Sequence, residues 1–275
     1  MRHAIGWLIA VPAVVIGATM VARVGGVSNM AAAREAPAFL PLPASAFQSA
    51  PPQQKADSSR VRALLQAAHG TNALVCELAA RTVDGRSGWS SDDGGFMAGD
   101  SADSLGRGMV SWIHDRGIDP ATVPLLRAAL ADQDWCVRRL AAPILGRVRD
   151  PSAMQAMLAS LDASDAGTRE MAALALGFAN DPRATTPLVA RLRDDSPRVR
   201  ATAAWALGEI ESKTAVRSLI EALRDGDALV RESAAHALGE VEDTAGIAPL
   251  TEVLKSDRAP AVRRAAAKAL GEIAG

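Results

Sequence analysis

The side chains best equipped for chemistry in this 275-residue chain are few: two cysteines, Cys76 and Cys136, and four histidines, His3, His69, His114 and His236, each standing alone. A bound metal needs several imidazole, thiolate or carboxylate ligands converging on one point. The nearest approach is His236, which shares a helical face with Glu232 and Glu240 at i−4 and i+4. No HExxH, P-loop, Gly-x-Ser-x-Gly or paired-Cys ligand spacing is present. Without a CxxC, a redox-catalytic thiol pair is not expected either. Asp92-Asp93-Gly94-Gly95 lacks the alternating oxygen ligands of an EF-hand and reads as a solvated loop. These residues predict no catalytic centre, no metal, no cofactor and no small-molecule substrate.

Charge removes another class of function. Lys and Arg total 30 against 31 Asp and Glu, a net charge of −1, so there is no cationic field to hold a nucleic acid. The apolar share is 49% with 3% aromatic residues and no Tyr. Ala, Val and Leu therefore supply most of it, as in closely packed helices rather than in a β-rich core.

The N-terminus reads as an address. After Arg2 and His3, residues 4–22 carry no charge, and Arg23 closes the run. At about 1.5 Å per residue such a helix spans roughly 28 Å, close to the ~30 Å hydrocarbon core of a bilayer. Residues 1–23 are thus a membrane anchor or a signal peptide, and both readings export the rest of the chain, to the periplasm or another extracytoplasmic space. Cleavage candidates at Ala31-Ala32-Ala33 and Ala44-Ser45-Ala46 come late, which favours the anchor. Residues 24–56, rich in Pro and Ala, predict a disordered tether.

From residue 121 onward the chain repeats. A Leu-Gly pair recurs at Leu145-Gly146, Leu176-Gly177, Leu207-Gly208, Leu238-Gly239 and Leu270-Gly271, at spacings of 31, 31, 31 and 32 residues. An arginine column runs in phase through Arg138, Arg169, Arg200, Arg231 and Arg263. Each unit predicts two helices joined by a polar turn. Asp134, Asp165, Ser196 and Asp227 stand where a side chain caps the second helix. Its alanines let neighbouring helices come close. The expected fold is all-α, an α-solenoid of stacked antiparallel helix pairs over 121–275, with a hydrophobic helix at the N-terminus.

The VR–AA–ALG pattern at this period resembles the HEAT-repeat family, specifically the short HEAT-like repeats of phycobilisome lyase subunits. The resemblance implies a concave surface lined by the second helices, with protein binding as its usual work. It implies an inter-repeat polar ladder for the arginine column. HEAT-like deoxyhypusine hydroxylases are di-iron oxygenases that use repeated His-Glu pairs. No His-Glu dipeptide exists here, so that reading is disfavoured, as is a bilin lyase, which the exported address does not suit.

Residues 57–83 resemble a degenerate copy, with Cys76 where the arginine would stand and a loop-like insertion after it. Residues 57–120 are accordingly a degenerate capping repeat, with a further helix around 105–115. Cys76 and Cys136 fall in the second helices of units one absent repeat apart. They are either bridged, if those helices become neighbours within ~7 Å, or two buried free thiols.

Comparing repeats isolates positions at i, i+4 and i+8 of the second helix that do not follow the period. Freed from stacking duty, they predict a surface stripe. Arg139, Pro143 and Arg147 begin it, and Arg264, Lys268 and Glu272 end it. At its centre are Leu174, Phe178 and Trp205, rimmed by Glu170, Glu209, Glu232, His236 and Glu240. An aromatic anchor inside a charged rim is how binding hot spots are built; the competing reading has Trp205 and Phe178 filling gaps between repeats. The expected function is a non-catalytic scaffold binding another protein on this stripe, tethered to a membrane by the N-terminal segment.

Overall fold

The computed structural model describes residues 58–73, 76, 79–80 and 117–275. The N-terminal apolar run, the tether, the Asp92–Gly95 loop and the helix expected around 105–115 lie outside the described residues. Among the described residues every regular element is helical, and no helix is long and apolar enough to cross a membrane.

Helix α1 (Ser58–Ala68) precedes five helix pairs. They are α2 (Val123–Leu130) with α3 (Trp135–Gly146), α4 (Pro151–Ser160) with α5 (Ala166–Ala179), α6 (Thr185–Arg191) with α7 (Pro197–Glu209), α8 (Val216–Ala222) with α9 (Ala228–Val241), and α10 (Ile247–Ser256) with α11 (Pro260–Ala274). Each first helix packs on its own second helix, and the second helices α3, α5, α7, α9 and α11 stack on one another in chain order. From α4 onward the first helices diverge, leaving open grooves of about 440 Å³ between α6 and α8 and about 460 Å³ between α8 and α10.

The stacking follows from side-chain size. Leu145, Leu176, Leu207 and Leu238 are wholly buried, as are paired alanines such as Ala203-Ala204 and Ala234-Ala235. Burying each leucine contributes roughly 2 kcal/mol, and the alanines keep the helix axes close. Glycine after leucine is a packing requirement: a Cβ on Gly208 would stand 2.8 Å from the Cα of Ala237. Gly271, which nothing approaches within 4 Å, is under no such constraint.

The caps are locally determined. Asp134 accepts the Cys136 amide, Asp165 that of Thr168 and Asp227 that of Leu229, each satisfying a free N–H of the first turn. Ser196 makes no side-chain cap bond, and Pro197 after it needs no acceptor.

At the N-terminal end, α1 packs on α2 and α3. Cys76 and Cys136, both buried, form a disulfide with Cα atoms 5.6 Å apart. The Gly70 amide donates to Asp134 at 2.8 Å, so one carboxylate caps α3 and holds the segment after α1. The Thr71 hydroxyl donates to the Cys136 sulfur at 3.3 Å.

Candidate functional site

The arginine column stands in the first turn of the second helices. Arg169 donates through Nε and Nη2 to the carboxylate of Asp194 at 2.8 and 2.7 Å, and through Nη1 to the carbonyls of Ala163 and Ser164. Arg200 grips Asp225 at 2.8 and 2.9 Å and the carbonyls of Asp194 and Asp195. Arg231 grips Asp257 at 2.7 and 3.0 Å and the carbonyls of Asp225 and Gly226. Each aspartate belongs to the next pair's turn, where it also accepts the amide of Ser196, Asp227 or Ala259. One planar guanidinium thereby locks its own turn and attaches the following one.

Two members of the column make only the inner half of this contact. Arg138 donates to the carbonyls of Asp132 and Gln133, and Arg263 to those of Asp257 and Arg258. Where Arg138 should find a carboxylate the chain has Ala163, and the Arg138 Nε is buried without a hydrogen-bond partner.

The bonds show in the electrostatics. The Arg169 guanidinium holds Asp194 below the ordinary carboxylate range, and Arg231 does the same for Asp257. Burial pushes Asp225 up, but its bonds to Arg200 and the Asp227 amide outweigh burial and leave it lowered.

The repeat-varying positions form a stripe with uneven exposure. Glu170, Leu174 and Phe178 on α5, Trp205 and Glu209 on α7, and Glu232 and His236 on α9 are partly exposed, and Glu240 is exposed. Pro143 and Ala201, in the same register, are buried and present no side chain there. Leu174 and Trp205 pack against the core, and Trp205 lies in the notch at Gly177, where a Cβ would come within 2.5 Å of its ring. The Phe178 and Trp205 rings are 5.4 Å apart and tilted by 58°, and the Arg147 guanidinium lies 5.0 Å over Phe178. Arg147, which follows α3, thus forms with Phe178 on α5 and Trp205 on α7 a cation–π and aromatic chain. The two aromatics join repeats and also contribute accessible surface. Burial raises the Glu170 carboxyl above its ordinary range, opposed by Arg198, Arg138 and Arg139.

The remaining candidates fall elsewhere. His69 lies 3.8 Å from Asp132 and 3.9 Å from Asp134, beside the disulfide and away from the stripe. Among the described residues no group of three or more His, Cys, Asp or Glu is arranged to hold a metal. Sequence reasoning missed Trp135, 37% exposed at the first position of α3. It also missed the column Asp132, Asp194, Asp225 and Asp257, each two residues before a helix cap. That spacing was the signal for the carboxylates of the ladder.

Comparison with known proteins agrees with this architecture. No curated protein matches the sequence. Among solved structures, the complex of CpcE and CpcF of phycocyanin lyase from Nostoc sp. PCC7120 is similar at 25% identity and a TM-score of 0.50, over 55% of this chain and 99% of that one. An engineered protein is similar at 21% identity and a TM-score of 0.43, covering 78% of this chain and 96% of its own. Human deoxyhypusine hydroxylase shares 24% identity at a TM-score of 0.32, covering 79% and 86%. The model of HEAT repeats matches residues 122–199 and 185–271, which with the stacked pairs and their ladder establishes that the chain belongs to the HEAT-repeat family.

Proposed function

We propose that this protein is a non-catalytic interaction scaffold that binds a partner protein on the face of its second helices and is exported and held at a membrane by residues 4–22. The observation that carries the binding face is the stripe itself. Leu174, Phe178 and Trp205 gather at its middle, and Glu209 on α7 with Glu232 and Glu240 on α9 continue it. The repeat period does not fix these residue types, because the same positions hold other chemistry in other repeats. The similar phycocyanin lyase structure is a complex of two chains, which supports a protein partner. The buried Cys76–Cys136 disulfide supports an oxidising compartment and hence export.

The test is capture after crosslinking in intact cells, comparing wild type with Glu232→Lys/Glu240→Lys. Retention of one or a few proteins by wild type and their loss from the charge-reversed variant supports the reading. An unchanged set of captured proteins contradicts the face, and recovery of the chain from the soluble cytoplasmic fraction contradicts the address. The lyase likeness favours one second reading, a subunit of a bilin-attaching enzyme. It requires a bilin chromophore to bind the purified protein, seen as a visible absorbance band co-eluting with the chain.

A further inference from the structure

We propose that the junction between the first and second helix pairs is a built-in joint, which opens along the edge where the second helices begin and pivots along the edge where they end. The first junction differs from its equivalents in the same chain. At the following three junctions an arginine of one second helix forks onto an aspartate of the next turn, through Arg169–Asp194, Arg200–Asp225 and Arg231–Asp257. At the first junction the arginine is present and held in the same way, with Arg138 Nη1 on the carbonyls of its own turn. The position that holds the aspartate at the later junctions is Ala163, whose side chain cannot accept a hydrogen bond; the guanidinium lies instead beside Gly167 and Asp165, and Nε is left buried and unpaired. A buried donor without an acceptor raises the free energy of the closed junction, and separation that lets water in relieves it. The arginine that forks across the other junctions is held across this one only by its charge attraction to Asp165 and Glu170, so this junction opens more easily than the others.

Two further features give the joint a direction. At the far end of the same junction Arg149 donates to the Ala179 carbonyl at 3.2 Å and Arg147 lies over Phe178, so that edge is fastened. On the near side α3 is bound to the N-terminal cap by the disulfide and by Gly70 on Asp134, so α3 moves with the cap rather than fraying alone. Opening then separates the cap with α2 and α3 from the four later pairs. It changes the spacing between Arg139 and Glu170, which lie on opposite sides of the joint. The joint does not depend on what the stripe binds.

Hydrogen exchange by mass spectrometry on the full disulfide-bonded chain tests it, using wild type, Ala163→Asp and Asp225→Ala. In wild type, amides at 163–169 should exchange at least tenfold faster than the equivalent amides at 194–200 and 225–231, while those at 146–150 and 177–181 stay slow. Ala163→Asp should slow 163–169 to the rate of the later turns, and Asp225→Ala should create the same fast exchange at 225–231. Equal rates at the three turns of wild type would overturn the proposal whatever the variants do. So would fast exchange at both edges of the first junction, or unchanged exchange at 163–169 in a folded Ala163→Asp protein. If Ala163→Asp does not fold, the wild-type pattern and Asp225→Ala decide alone: no fast exchange at 225–231 in that variant overturns it.

Discussion

Arg200 and Asp225, 25 residues apart in sequence, meet through two parallel N–H···O bonds of 2.8 and 2.9 Å, with both side chains more than four-fifths buried. The pair joins α7 to the turn that begins α9, and its geometry recurs one repeat earlier and one repeat later. The solenoid is therefore fastened by a periodic ion pair in addition to its Leu, Ala and Gly packing.

Breaking one fork should be costly, because it leaves a partner unpaired in a poorly hydrated site. Arg200→Ala or Asp225→Ala is expected to lower unfolding free energy by about 2–4 kcal/mol. Arg200→Lys should recover little of it, since an ammonium cannot span both oxygens while reaching two carbonyls. Denaturant melts of the three variants measure this.

Acid should undo the same forks. Asp194, Asp225 and Asp257 are all held below the ordinary carboxylate range when folded. Their contribution is fully present above the unfolded value of about 3.9 and is lost as pH falls from there through the lower folded values. The melting temperature should decline below about pH 4, and the gap between wild type and Asp194→Asn should close over the same interval. A gap that stays constant to pH 2 would mean that the forks carry no pH-dependent stability.

Glu170 should behave oppositely. Burial raises its carboxyl when folded, so its ionisation opposes folding, and that cost grows as pH rises from the unfolded value through the folded one. Glu170→Gln is expected to melt higher than wild type at pH 7 and to converge with it in acid. Thermal melts across that range check the sign.

The glycine column divides into positions that need glycine for space and one that does not. Gly208→Val places a side chain 2.8 Å from the Ala237 backbone and should destabilise by about 3 kcal/mol or more. Gly271→Ala meets nothing within 4 Å and should be neutral or stabilising by about 0.5 kcal/mol through helix propensity. Equal effects from the two would contradict close helix approach as the reason for the column.

Much of this fold was legible because each repeat states its rule again. The 31-residue period of Leu-Gly, the caps at Asp134, Asp165 and Asp227, and the arginine column are all local signals that recur. The aspartates two residues before the caps were equally visible, but a carboxylate in a polar turn resembles any solvated loop until its partner 25 residues away is in place. Exposure was less readable. A position that escapes the period is free of stacking duty, yet Pro143 and Ala201 are buried and Trp205 fills the notch of Gly177, because one small residue on a neighbouring helix decides where a large ring settles. For that reason Trp205→Ala mixes lost packing with any lost binding, and Glu240, exposed near the end of α9, gives a cleaner probe.

Docking of a partner protein on the second-helix face is read out by site-specific photocrosslinking in cells. One photoreactive residue replaces Glu240 on that face, and another replaces Arg217 on α8, whose side chain is 92% exposed on a first helix. A discrete adduct from position 240, absent from position 217, is the expected result. An adduct of the same partner from position 217 and none from position 240 would contradict the claim.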